Sequence, residues 1–161
     1  MGEEEKRAVL DVLDSGIIAQ GPKVSLFEKN FSSYCNTNYG IALNSGTAAL
    51  HLAVLSLGIG PGDEVITSPF SFVASANSIL YAGAKPVFVD VEEDYFTIDV
   101  NKIQDKITKN TKAIIPVHLY GHPADMIELQ KIAKDNNLFI IEDAAQAHGA
   151  EINEKKVGGF G

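Results

Sequence analysis

Residues 64–90 read EVITSPFSFVASANSILYAGAKPVFVD, and this stretch decides the fold. Glu64 to Thr67 is a short apolar run, and a helical segment from about Ser71 to Tyr81 follows it. A second apolar run, Pro86 to Val89, then ends at Asp90. Neither run alternates apolar with polar residues, as strands buried on both faces do not. Strand, helix, strand in this order is a βαβ unit, which makes its strands parallel and its crossover right-handed.

The same rhythm extends in both directions. Upstream, Ile41-Ala42-Leu43 reads as a strand and Ala48 to Leu57 as an apolar helix. Downstream, a helix from about Val100 to Ile107 precedes a strand over Ala113 to Val117. A helix over Ala124 to Asp135 and a strand over Phe139 to Ile141 complete the series. Repeated units of this kind predict a three-layer α/β/α fold around a mostly parallel sheet. Two further helices precede it. Glu3 to Asp14 carries Val9, Leu10 and Leu13 on one side and three glutamates in its first turn, where the helix dipole favours them. The second runs from Pro22, at the first helical position, to about Tyr34. Val24, Phe27, Phe31 and Tyr34 recur at helical spacing and predict an inward face. Residues 1–40 are therefore set apart as N-terminal helices, and residues 41–161 as the α/β part.

Composition narrows the function. The 161 residues are 45% hydrophobic and carry a net charge of −8. The first figure suffices for a sizeable core; the second argues against a nucleic-acid surface, which needs clustered Lys and Arg. Cys35 is the single cysteine, so no internal disulfide forms and a reducing compartment is expected. No signal-peptide pattern opens the chain and no apolar run is long enough to span a bilayer. A cytoplasmic protein without a membrane partner is the expectation. The four histidines, at 51, 118, 122 and 148, include one pair four apart, His118 and His122, but no H-E-x-x-H pattern, and no metal site is expected.

Ligands of open α/β sheets bind at the carboxyl ends of the strands. That rule selects the loops Asn44 to Thr47, Pro69 to Phe72, His118 to Gly121 and Asp143 to His148. Ser45-Gly46-Thr47 enters a helix N-terminus, where free N–H groups favour an anion such as phosphate; the same residues also suit a plain helix cap. Asp143 ends the apolar run of residues 139–141. A carboxylate there asks for a cationic or hydrogen-bonded partner, a protonated pyridine nitrogen among them, although a strand-end Asp also caps turns. The amide of Gln146, one short turn further on, can reach an oxygen of the same ring. Phe72 is placed either to stack on a flat ligand or to pack in the core. Neither the Walker loop nor the G-x-G-x-x-G fingerprint occurs, which argues against ATP and NAD.

Read together and in order, these loops resemble a known family. Residues 44–53 (NSGTAALHLA), 69–77 (PFSFVASAN), 82–90 (AGAKPVFVD), 116–121 (PVHLYG) and 141–149 (IEDAAQAHG) resemble the signatures of the DegT/DnrJ/StrS sugar aminotransferases, over essentially the whole chain. The resemblance implies the large domain of fold-type-I, aspartate-aminotransferase-like enzymes that use pyridoxal 5′-phosphate (PLP). It implies that Gly46 and Thr47 hold the cofactor phosphate and Phe72 stacks on the ring. Asp143 then pairs with the pyridinium nitrogen, and Gln146 contacts the phenolic oxygen. It further implies a nucleotide-linked keto sugar as substrate, glutamate or glutamine as amino donor, and a homodimer, with residues 1–40 supplying helices and a substrate and dimer loop and residues 41–161 the first part of the PLP-binding large domain. By the same pattern the lysine that engages PLP lies beyond Gly161, and Gly159 stands where a serine is common. These 161 residues are then expected to be inactive alone and to associate through uncovered apolar surface. A PLP-dependent sugar dehydratase of the same family, with histidine for that lysine, and a non-catalytic PLP-binding piece are the alternatives.

Overall fold

The computed structural model describes all residues, 1–161. It divides into two compact units, Met1–Ala42 and Leu43–Gly161.

The first unit holds α1 (Glu3–Ser15) and α2 (Pro22–Cys35). Gly16 stops α1 in the left-handed region at φ 69°, and Asn36 does the same for α2 at φ 54°. Neither helix has a buried residue. The inward face expected on α2 is therefore corrected: Phe27 is 55% exposed and Tyr34 50%. The aromatic side chains instead form a ladder along the helix, with centroids 5.5 Å apart from Phe27 to Phe31 and 6.4 Å from Phe31 to Tyr34. Helical spacing gathers a stripe on one face, but a unit of this size has little surface with which to bury it.

The second unit is built on a four-stranded parallel sheet, ordered β2 (Lys85–Phe88), β1 (Glu64–Thr67), β3 (Thr111–Ile115), β4 (Phe139–Ile140). Ile66 sits opposite Val87 on one side and Ile114 on the other. Successive residues of the central strands feed opposite cores. Val65, Ala113 and Ile115 pack with Leu50 and Val54 of α3 (Gly46–Ser56) and Ile79 of α4 (Ala74–Tyr81). Ile66 and Ile114 pack with Met126, Leu129 and Ile132 of α5 (Met126–Asn136). The three-layer α/β/α arrangement is thus as expected.

Three readings need correction. Residues 41–43 form no strand, and Ile41 is 81% exposed; a three-residue apolar run without a neighbouring strand has nothing to pair with. Residues 100–107 form two 3-10 turns, Val100–Lys102 and Gln104–Lys106, instead of one helix. The segment is short and rich in β-branched residues, which makes an α-helix marginal, yet i,i+3 spacing still buries Ile103. Finally, only β1 and β3 approach full burial. The edge strands are half open, with Phe88 46% and Phe139 51% exposed, because an edge has a neighbour on one side only.

Beyond the sheet, β5 (Glu151–Ile152) and β6 (Lys155–Lys156) make a two-residue hairpin. Asn153 (φ 49°) and Glu154 (φ 66°) both take the positive φ that such a tight turn requires. Gly83 closes the α4–β2 turn at φ 80°, where a Cβ would come within 3.1 Å of the Pro61 ring. No helix is long and apolar enough to cross a membrane.

Candidate active site

The sheet brings its carboxyl ends to one edge, and a cleft of about 260 Å³ opens there. It is lined by Gly46, Thr47, Leu50, Ser71, Phe72, Ala74, Val117, Asp143, Ala145 and Gln146. All five residues nominated from the sequence (Gly46, Thr47, Phe72, Asp143 and Gln146) meet here, and no lysine lines the cleft.

One wall is the start of α3. The Ser45 hydroxyl oxygen accepts from the N–H of Ala48 at 3.1 Å, which caps the helix. The first-turn N–H groups of Gly46 and Thr47 precede any intrahelical acceptor, and the positive end of the helix dipole lies with them. A Cβ at Gly46 would meet nothing within 4 Å, and its φ is not positive. Neither backbone strain nor packing therefore calls for glycine at 46, and its missing side chain leaves space in the cleft. Ser45→Ala is expected to lower stability by about 1 kcal/mol, the usual loss of such a cap; an unchanged thermal midpoint would show that the cap is not formed in solution.

Phe72 is 68% exposed, so it is a wall of the cleft and not a core residue. Opposite lies Asp143, whose backbone extends the sheet: its N–H donates to the Pro116 carbonyl at 2.9 Å, and its own carbonyl accepts from the His118 N–H at 3.1 Å. The Asp143 side chain is only 8% exposed. Its Oδ2 accepts from the Ser75 hydroxyl at 2.6 Å and its Oδ1 from the Ala145 N–H at 3.3 Å. It forms no ion pair with any Lys, Arg or His.

Gln146 is oriented by the backbone of Tyr120, whose N–H donates to Oε1 at 2.8 Å. Tyr120 reaches this position through a left-handed conformation, φ 51°. An N–H faces only an oxygen, so the Gln146 amide nitrogen is left as a donor. A helix N-terminus, an exposed aromatic ring, a buried carboxyl group and an amide donor therefore share one cleft.

Sequence reasoning missed four residues here: Ser75, Tyr120, His118 as a structural group, and Glu142. His118 is fully buried. Its Nδ1 accepts from the Ala124 N–H at 3.0 Å, which puts the ring proton on Nε2, 3.1 Å from Glu142 Oε2. Neither His118 nor the exposed His148 lines the cleft. Glu142 also accepts from the N–H groups of Gly158, Phe160 and Gly161 at 2.7, 2.5 and 2.6 Å. Burial acts to raise its pKa, but the hydrogen bonds from His118, Gly158, Gly161 and Phe160 outweigh that and hold the carboxyl below its ordinary value of 4.5.

A larger hollow, about 560 Å³, lies elsewhere and includes Glu92, Asp99, Asp125, Tyr95 and His122. Its carboxylates already have partners: Glu92 the N–H groups of Asp94, Tyr95 and Thr97, Asp99 that of Asn101, Asp125 that of Glu128, and Glu151 the Lys156 ammonium at 3.1 Å. Volume alone does not make it the site of chemistry.

Comparison with known proteins gives the same picture. The model of the DegT/DnrJ/EryC1/StrS aminotransferase family matches residues 1–161. The chain is 46% identical to the dTDP-3-amino-3,4,6-trideoxy-alpha-D-glucose transaminase of Streptomyces venezuelae, over 96% of its own length and 41% of that protein's. The X-ray structure of S. venezuelae DesV in complex with a ketimine intermediate matches with a TM-score of 0.95 and 46% identity, covering 97% of this chain and 42% of that one. NtdA of Bacillus subtilis, with bound cofactor PMP, matches with a TM-score of 0.89 and 43% identity, over 91% and 34%. The chain thus spans between 41% and 44% of the length of the curated relatives it matches.

Proposed function

Because this chain belongs to the DegT/DnrJ/EryC1/StrS aminotransferase family, we propose that it forms the PLP-binding part of an enzyme that moves an amino group from glutamate or glutamine to a nucleotide-linked keto sugar. The observation that carries this reading is the convergence, in one cleft, of a helix N-terminus, an exposed Phe72 and a buried Asp143 without a cation. These residues fit the cofactor. The N–H groups of Gly46 and Thr47, with the Thr47 hydroxyl, hold the phosphate. Phe72 covers the ring face. Asp143 holds a proton on the ring nitrogen, and the Gln146 amide donates to the phenolic oxygen. Bound there, PLP supplies the electron sink on which amino-group transfer depends.

The chain's own contribution is orientation and electrostatics. The Ser75 hydroxyl and the Ala145 N–H hold the Asp143 carboxyl group from two sides and leave its remaining lone pairs for the ring nitrogen. Phe72 and the apolar Leu50, Ala74 and Val117 restrict water around that pair, which strengthens it. In this reading residues 41–161 belong to the cofactor-binding domain, and residues 1–40 contribute helices to a homodimer. The unburied aromatic stripe of α2 supports the second part. With no lysine lining the cleft, these residues hold PLP by non-covalent contacts.

Titration with PLP, followed by absorbance and fluorescence, tests the reading. Saturable binding is expected, with inorganic phosphate competing and pyridoxal, which lacks the phosphate, binding roughly tenfold more weakly. A folded chain that binds neither compound, or both equally, would overturn it.

A further inference from the structure

Ser75 lies in the first turn of α4, 1% exposed, and it does not line the cleft. A serine inside a helix ordinarily turns its hydroxyl back onto the carbonyl three or four residues earlier. Ser78, one turn on, does this, donating to the Ser75 carbonyl at 2.8 Å. Ser75 does not. Its hydroxyl is 3.4 Å from the corresponding Phe72 carbonyl and 2.6 Å from Asp143 Oδ2, a residue 68 positions away. A hydroxyl has one hydrogen to give, and the shorter distance lies in the range of charge-assisted O–H···O⁻ bonds, about 2.5–2.7 Å. The Ala145 N–H takes the other carboxylate oxygen. The Asp143 side chain is thereby gripped from two elements, α4 on one side and the loop after β4 on the other.

We propose that Ser75 is the positioning residue for Asp143: its hydroxyl fixes the carboxylate in the rotamer that meets the ring nitrogen of PLP. The inference rests on the PLP reading of the cleft. Ser75 touches no ligand and acts only through Asp143. Its hydroxyl therefore matters to the cofactor only while the Asp143 carboxylate is present, and this separates positioning from a general packing role.

The experiment is a double-mutant cycle read by PLP affinity, not by activity. Fluorescence titration compares the wild-type chain with Ser75→Ala, Asp143→Ala and the double variant. Ser75→Ala is expected to weaken PLP roughly tenfold, the size of one charge-assisted hydrogen bond. In the Asp143→Ala background it is expected to change affinity by less than about twofold. Ser75→Thr, which keeps the hydroxyl, restores wild-type affinity. Ser75→Cys, which keeps the volume but offers a weak donor, reproduces the loss and serves where the alanine variant is poorly folded. An equal loss in both backgrounds, or wild-type affinity in both Ser75→Ala and Ser75→Cys, overturns the inference while leaving the cofactor reading intact. Absence of PLP binding by the wild-type chain overturns that reading and the inference with it.

Discussion

Glu142→Ala is expected to destabilise the chain by about 3 kcal/mol, since it leaves the buried His118 ring and the Phe160 N–H without their acceptor and removes two further bonds at the surface. The Glu142 side chain is 4% exposed and collects four N–H donors, one from His118 and three from residues 158–161. Alanine abolishes all four bonds and opens a hole beside a fully buried imidazole. Because the hydrogen bonds hold the folded carboxyl below its ordinary value of 4.5, the linkage has a definite sign. The contribution of Glu142 is fully present above the unfolded value and is lost as pH falls through the lower folded one. Denaturant unfolding from pH 7 downward should show wild-type stability falling in that acid range. Glu142→Gln, which cannot titrate, should start lower and lose less. Residues 158–161 should also become protease-sensitive in Glu142→Ala. A loss under about 1 kcal/mol, or an unchanged pH profile in Glu142→Gln, would remove Glu142 from this role.

Asp143→Asn is expected to separate binding from stability. The amide keeps the volume and still accepts from the Ser75 hydroxyl, but it carries no charge for a ring nitrogen. PLP affinity should fall on the order of 100-fold, equivalent to about 3 kcal/mol. Without cofactor, the wild-type chain bears a desolvated carboxylate that forms no ion pair. Removing its charge should therefore leave thermal stability equal or raise it by about 1 kcal/mol, as happens where a site is built for function at the expense of stability. Parallel thermal melts and PLP titrations decide the matter. Equal PLP affinity in wild type and variant would mean that Asp143 does not face the ring nitrogen, and a large drop in apo stability would mean that its charge serves the fold.

Much of this was legible in the linear chain, for a physical reason. Helix periodicity, caps and apolar runs are set by residues within a few positions of each other. The bounds of β1 and the Ser45 cap both depend on such neighbours. Parallel strands then follow from βαβ order, and the strand-end rule places Phe72, Asp143 and Gln146 at one edge of the sheet, whereas Gly46 and Thr47 reach it at the start of α3 without the strand expected before them. Where local preference was weak, at residues 41–43 and 100–107, the neighbourhood decided otherwise.

By its sequence alone, then, this protein specifies an α/β/α fold and the five residues that meet at one edge of its sheet. Tertiary structure alone decides how those residues are aimed. The Ser75 hydroxyl makes its shorter bond to a carboxylate 68 positions on, the Tyr120 N–H orients the Gln146 amide across 26, and Glu142 ties down residues 16 to 19 positions beyond it. The stripe on α2 is visible in the spacing of Phe27 and Phe31, but its exposure is not. Local periodicity determines which way a side chain leaves its own backbone; the partner it finds depends on which distant segment the fold brings alongside.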